Sequence, residues 1–391
     1  MSTSVKHIHS GMRGVPTVNG VAGTLIPALD VATQTGCGIT TAIAVTVASN
    51  IATATLTSGE TFDRDSVVLI AGATPGALNG ESRVLTSSLT SITWATAAAD
   101  GAATGTITIK YAPQSTWVSP FAKTNVKAYR SNHVQSHGHY LRVDDTGTTS
   151  ARVRGYEAMT DIDTGTGPFP TEAQIAGGGY WRKRTSASAT AVPWRIFSDE
   201  RTLLVAIAAN SGSGATHLQA PLRGFGDPLE LAPSGDVWSS FLSVEGTSDG
   251  NVYGSLDSGY ITQATIGGSF MARAVSGLGG AVPVNPVPYT GAATLSGADA
   301  WLGALPSEVD GAIRPSRMFL REQAFGKPPR AVVPGVYYLP HSGALGPLAD
   351  GDILDGADEL AGRRLMVVAM GQALNQAATG CYLVDITGPW R

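Results

Sequence analysis

The stretch from Thr40 to Tyr111 leaves this chain the fewest choices. It carries six short runs rich in Val, Ile and Thr, in "AIAVTVASNIATATL", "SVVLIAGA", "RVLTSS", "SITWATA" and "GTITIKYA". Branched side chains are stiff at χ1 and pack well on a pleated surface. Gly, Asn and Pro recur between the runs about every ten to twelve residues and supply the turns. At Ser49-Asn50 the chain must reverse within two residues, and Asn tolerates the positive φ of a tight hairpin. The segment predicts a small β-sandwich or barrel spanning 39–112.

The rest of the chain extends the same reading. Residues 1–38 alternate Gly and Pro with one apolar segment, Leu25 to Ala32, which predicts one or two helical turns stopped at Gly36 and Gly38. The remainder of 1–38 is expected as an extended arm that lies on something else. In "HYLRVDDTGTTSARVRGYEAM", Leu141 and Val143 alternate with Tyr140 and Arg142. Arg152, Arg154 and Tyr156 then alternate with Ala151, Val153 and Gly155. Period two on both sides of a turn predicts a hairpin. "VPWRIFSDERTLLVAIAAN" predicts two more strands with a turn at Ser198 to Glu200. Strand patterns continue to the end, interrupted by "GLGGAVPVNPVPYTGAATLSGADAWLGALPSE", expected as a long Gly/Pro-rich loop. The fold class is mainly β and multi-domain, sandwich- or barrel-like. Its expected units are an arm (1–38), an inserted sandwich (39–112), a central β domain (113–235) and a C-terminal β domain (236–391).

Charge limits the function. Charged residues are 14% of the chain, against about 25% in a typical soluble domain. A surface so poor in charge suits a subunit that covers its exterior with copies or neighbours. The net charge of −4 argues against a nucleic-acid surface. No run of apolar residues is long enough for a membrane helix, and "MSTSVKHIHSGMRG" lacks the apolar core of a secretory signal. Arg182, Lys183 and Arg184 read as a solvated loop or subunit contact. Cys37 and Cys381 have no CxxC or CxxH neighbour, and read as free buried thiols in a reducing cytoplasm.

Two acidic clusters are the conspicuous chemical candidates. Counting an EF-hand loop from Asp161 places Asp163 at position 3 and Glu172 at position 12. Position 5 is then Gly165 and position 6 is Thr166, so the match fails where a ligand and a sharp turn are needed. Asp144 and Asp145 sit where the hairpin reverses. There an Asp caps its own backbone, and Gly147 is expected to take a positive φ. A catalytic pair of Asp144 with Asp161 would need a cleft that the sequence does not show. The metal-like stretch is "HVQSHGHY", where His137 and His139 would share a strand face near His133. No carboxylate adjoins them and Gly138 loosens the pair, so no metal or other cofactor is expected. "SGSGA" at 211–215 lacks the flanks of a nucleophile elbow. Trp181, Trp194, Trp238 and Trp301 suit core or interface more than sugar stacking. No feature calls for an enzyme.

Several strings resemble one family: "KHIHSGMRGVPTVNGVAGTLIPALD", "LIAGATPGALNGESRV", "YLRVDDTGTTSARVRGYEAMTDIDTGTGPFP", "VVPGVYYLP" and "DITGPWR". They look like structural proteins of tailed bacteriophages and prophages that are found with tail genes. The resemblance implies a virion component made in the bacterial cytoplasm, a tail-tip or baseplate part whose partners are its own copies and other tail proteins. The arm and "DITGPWR" would then be attachment elements. The alternatives are a receptor-binding tail protein that recognises host cell-surface glycan, and a capsid decoration or head–tail connector protein. The family supplies no catalytic residues to carry over.

Overall fold

A computed structural model describes residues 2–209, 222–231, 238–246, 267–273, 280–287, 309–322, 329–339, 347–370 and 380–391. It is mainly β and multi-domain, built on antiparallel sheets, one of them curled into a half-barrel.

The half-barrel is drawn from residues 37–111. Its strand order is Cys37–Thr41, Thr108–Tyr111, Val67–Ala71, Gly80–Ser87, Ser91–Ala95, Ile51–Thr55, Ala44–Ala48 and Gly101–Ala102. All six expected runs are strands. The hairpin turns at Ser49 (φ 52°) and Asn50 (φ 62°), two left-handed residues in succession, as a two-residue loop between right-twisted strands demands. Alternation then sorts the side chains: Val45, Val47, Ala52, Ala54, Ile92 and Trp94 are buried, while Ala44, Thr46, Ala48, Thr55 and Ala95 are exposed. One row of threonines, Thr46, Thr53, Thr93 and Thr86, crosses four strands on the outward face. The hydroxyls of Thr86 and Thr93 are hydrogen-bonded at 2.7 Å. The strands Ala44–Ala48, Ile51–Thr55 and Ser91–Ala95 contain no ionisable residue.

The second sheet joins nineteen strands among the described residues, from Lys6–His9 to Gly380–Asp385. Its inner strands bury both faces. In Thr202–Ile207, Leu203, Val205 and Ile207 enter a core that reaches Trp117, Trp181 and, inside the half-barrel, Trp94. Leu204 and Ala206 enter a second core with Phe241, Met318, Tyr382 and Trp390. A strand covered on both sides needs a continuous apolar run rather than alternation, and "TLLVAI" supplies one.

Three expectations change. The arm lies on its own chain: Lys6–His9 pairs antiparallel with Trp194–Ser198, and Val5, Ile8 and Met12 are buried. The expected helical turns are there, as the helix Leu25–Asp30 followed by a π-turn ending at Gly36, φ 65°. Second, the Gly/Pro-rich segment contains the strand Ala281–Val287. Its first half pairs with Gly267–Arg273 and its second with Ser316–Glu322. Proline lacks only the donor, so Pro283 and Pro286 are tolerated where the N–H has no ladder partner. Third, the division expected at 235/236 is crossed by hydrogen bonding, Phe225 with Leu242 and Leu229 with Val332. The loop "SGSGA" and Trp301 lie outside the described residues, as does most of the Gly/Pro-rich segment.

Arg83 fastens the half-barrel to both ends of the chain. Buried to 4% exposure, it donates to the main-chain oxygens of Ser2 (2.8 Å), Val5 (3.2 Å), Asp65 (2.5 Å), Ile386 (2.9 Å) and Thr387 (3.2 Å). Lys6 adds a tie to Glu81 at 3.0 Å, and Arg364 one to Asp65 at 3.2 Å. Replacing Arg83 by Met leaves these carbonyls unanswered, and we expect a loss of about 3–5 kcal/mol in urea unfolding. Arg364→Met, which takes one cation from the buried Asp65, should cost about 1–3 kcal/mol.

Candidate functional site

The two neighbouring aspartates part company. Asp144 does turn chemistry, accepting from Thr146 N at 3.2 Å and Thr146 Oγ1 at 2.6 Å. Asp145, on the opposite side of the strand end, is fully buried and forms an ion pair with the equally buried Lys183. Its Oδ2 also accepts from Leu25 N at 2.6 Å at the start of the short helix. Burial pushes the Asp145 pKa up and that of Lys183 down, and the ion pair opposes both shifts. Gly147 takes no left-handed φ; a Cβ there would meet the Ser150 carbonyl at 2.3 Å. The basic cluster is therefore not a solvated loop: Arg182, Lys183 and Arg184 are all buried. Arg182 lies near Arg223, which is ion-paired with Glu245 inside the sheet; burial and Arg182 lower the Arg223 pKa to about 9.

The second acidic cluster answers the arginines of the hairpin. Asp163 is bonded to Lys123 at 2.7 Å and to Arg142 at 3.0 Å, and Glu172 to Arg154 at 2.8 Å. Asp161 accepts from the backbone N–H of Asp163 at 2.7 Å. These carboxylates hold the 160–178 connection against the sheet.

The three histidines occupy the loop between Val126–Ser131 and Tyr140–Asp144, not a strand face. His137 and His139 have ring centroids 5.9 Å apart, and His139 packs on buried Phe169 at 5.8 Å. His133 Nδ1 accepts from Gln135 N at 3.2 Å. Among the described residues no group of three or more His, Cys, Asp or Glu is placed to hold a metal. Cys37 and Cys381 are free and buried, and burial raises their pKa values to about 11 and about 12.

The concave site lies elsewhere, over the C-terminal strands. A half-open cavity of about 640 Å³ is lined by residues 312–315, by Arg317 and Tyr337, by 354–360, and by Leu365 and Leu383. Its apolar lining comes from Ile313, Leu354, Leu360, Leu365 and Leu383, which continue a small core containing Leu339, Val367 and Cys381. Gly356 closes one wall, because any Cβ would stand 2.1 Å from the Leu360 carbonyl. The polar groups sit at the mouth. Arg317 faces Glu359 at 3.5 Å, Arg314 is paired with Asp310, and Asp355 with Arg364. Asp358, at φ 49°, is in no ion pair among the described residues. Burial pushes the Tyr337 pKa up, so its hydroxyl stays protonated at neutral pH. An aliphatic lining with a few polar groups at the entrance is the arrangement of a ligand site. Sequence reading missed it, since its residues come from four separated segments and each looks locally like ordinary strand or turn.

No protein-family model matches the chain, and no curated protein matches it.

Two measurements test this electrostatic picture. Lys183→Met strands a buried carboxylate and should cost about 3–5 kcal/mol, whereas the double variant Asp145→Leu/Lys183→Met should recover much of that loss. Burial, as the first cause, lowers the pKa of His7 to about 3 and of His139 to about 4. Above pH about 6.5 both are neutral folded and unfolded; below it the unfolded chain takes up protons first. Stability should therefore fall as pH drops from about 6.5 toward 4, and His7→Phe or His139→Phe should each flatten the dependence of the urea midpoint on pH.

Proposed function

We propose that this chain is a structural subunit of a tailed-phage virion, a tail-tip or baseplate component that works through contacts with its own copies and neighbouring tail proteins. The observation that supports this most is where the ionic groups go. A chain with 14% charged residues buries Lys6, Arg83, Asp145, Lys183, Asp199, Arg223, Glu245 and Asp385 within itself, so its exterior is poorer in charge than its composition. Three neighbouring strands of the half-barrel, Ala44–Ala48, Ile51–Thr55 and Ser91–Ala95, turn Thr, Ser and Ala outward without an ionisable group. Such a face lacks the charges that keep free monomers apart, and meets another subunit without desolvating ions.

Attachment through the arm and "DITGPWR" draws no support: Ile386 and Trp390 are buried, and Arg391 is bonded to Asp199 at 2.8 Å within the same chain. For glycan recognition, Trp94, Trp117, Trp181, Trp194 and Trp390 are all buried, and offer no exposed stacking surface.

Mass spectrometry of density-purified particles, with antibody labelling in electron micrographs, tests the proposal. The chain should be found in particles, at the distal tail. Its absence from particles would end the proposal, and label confined to heads would favour the decoration or connector reading. A second expectation concerns the threonine row: Thr53→Glu and Thr93→Lys should change the melting free energy by about 0.5 kcal/mol or less while lowering incorporation into particles.

A further inference from the structure

We propose that the cavity over the C-terminal strands binds a small amphipathic cation, an aliphatic or aromatic body with one ammonium end. This inference stands apart from the virion reading and concerns the isolated chain. The volume of about 640 Å³ is roughly four times that of a cavity that takes up benzene, room for a body of eight or more carbons. The inner lining is aliphatic, so transfer of such a body from water is favourable in proportion to the area it buries. What decides the head group is the accounting at the mouth. Two lining carboxylates already have cations, Asp355 with Arg364 and Glu359 with Arg317, and the lining Arg314 is itself held by Asp310. Asp358 has none within ion-pair distance, although it contributes long-range attraction to Arg314. An incoming cation finds an available carboxylate, whereas an incoming anion finds its prospective arginines occupied. Tyr337 contributes a hydroxyl that bonds to no other described residue, a donor for a polar atom on the body near the head.

Three probes with the same eight-carbon body separate the terms: octylammonium, 1-octanol and octanoate, titrated by calorimetry and by saturation-transfer NMR against the full chain. Octylammonium should bind about two- to fivefold more tightly than octanol, the margin an exposed ion pair supplies, and octanoate more weakly than either. Asp358→Asn keeps a residue type that accepts a left-handed φ, so the fold is retained. It should make octylammonium and octanol equal without changing octanol. Tyr337→Phe should weaken octanol. The proposal is overturned if no probe saturates, if octanoate matches octylammonium, or if Asp358→Asn leaves the preference intact. A polypeptide occupant would also overturn it: the peptide acetyl-Lys-Leu-Val-Leu-Lys-amide would then bind in an Asp358-dependent way while octylammonium would not.

Discussion

A single guanidinium holds three distant parts of this chain in one place. Arg83 belongs to the half-barrel, yet most of its bonds go to carbonyls at the two ends of the chain, Ser2 and Val5 on one side and Ile386 and Thr387 on the other. Burying an ion is costly unless its hydrogen-bonding capacity is met in full. Main-chain oxygens meet it with partial charges that need no proton and no rotamer. Only when the first strand, the half-barrel and the last strand are all docked are those oxygens together. A preference for having all three or none follows, and it makes the half-barrel an integral part of the body rather than a tethered appendage.

The paired aspartates show how strand geometry assigns chemistry. Asp144 and Asp145 are the same residue type one position apart, and successive side chains point to opposite faces. One therefore reaches solvent and caps a turn, while the other reaches inward to Lys183 and the start of the helix at Leu25. Arg182, Lys183 and Arg184, which resemble a solvated run on paper, are buried one after another and so escape this alternation. Within the chain these carboxylates answer its cations, Asp145 the buried Lys183 and Asp163 the pair Lys123 and Arg142.

How far the sequence was legible depended on the range of the interaction. The half-barrel strands, the Ser49-Asn50 reversal, the helical turns after Thr24 and the hairpin at Tyr140 all announce themselves, because period-two patterning and turn residues act over a few positions. The burial of Lys183 does not, since its partner is Asp145, and nothing near Arg182 or Arg184 says that a carboxylate waits inside. The strand through Pro283 and Pro286 was hidden for a related reason: proline argues locally against a ladder, and only the half-and-half pairing with two different neighbours makes it acceptable. The cavity was invisible for the strongest form of this reason, as its lining is assembled from segments whose proximity is a property of the whole sheet.

The threonine row on the half-barrel has a consequence for the conditions under which its surface stays the same. Hydroxyls and methyls neither titrate across the range of natural waters nor gather a counterion cloud, so brine, fresh water, acid and alkali alter that face little. Joints made through it would keep their strength from the crowded interior of a cell to dilute surroundings outside, where seams built from opposite charges loosen or tighten with every change of medium.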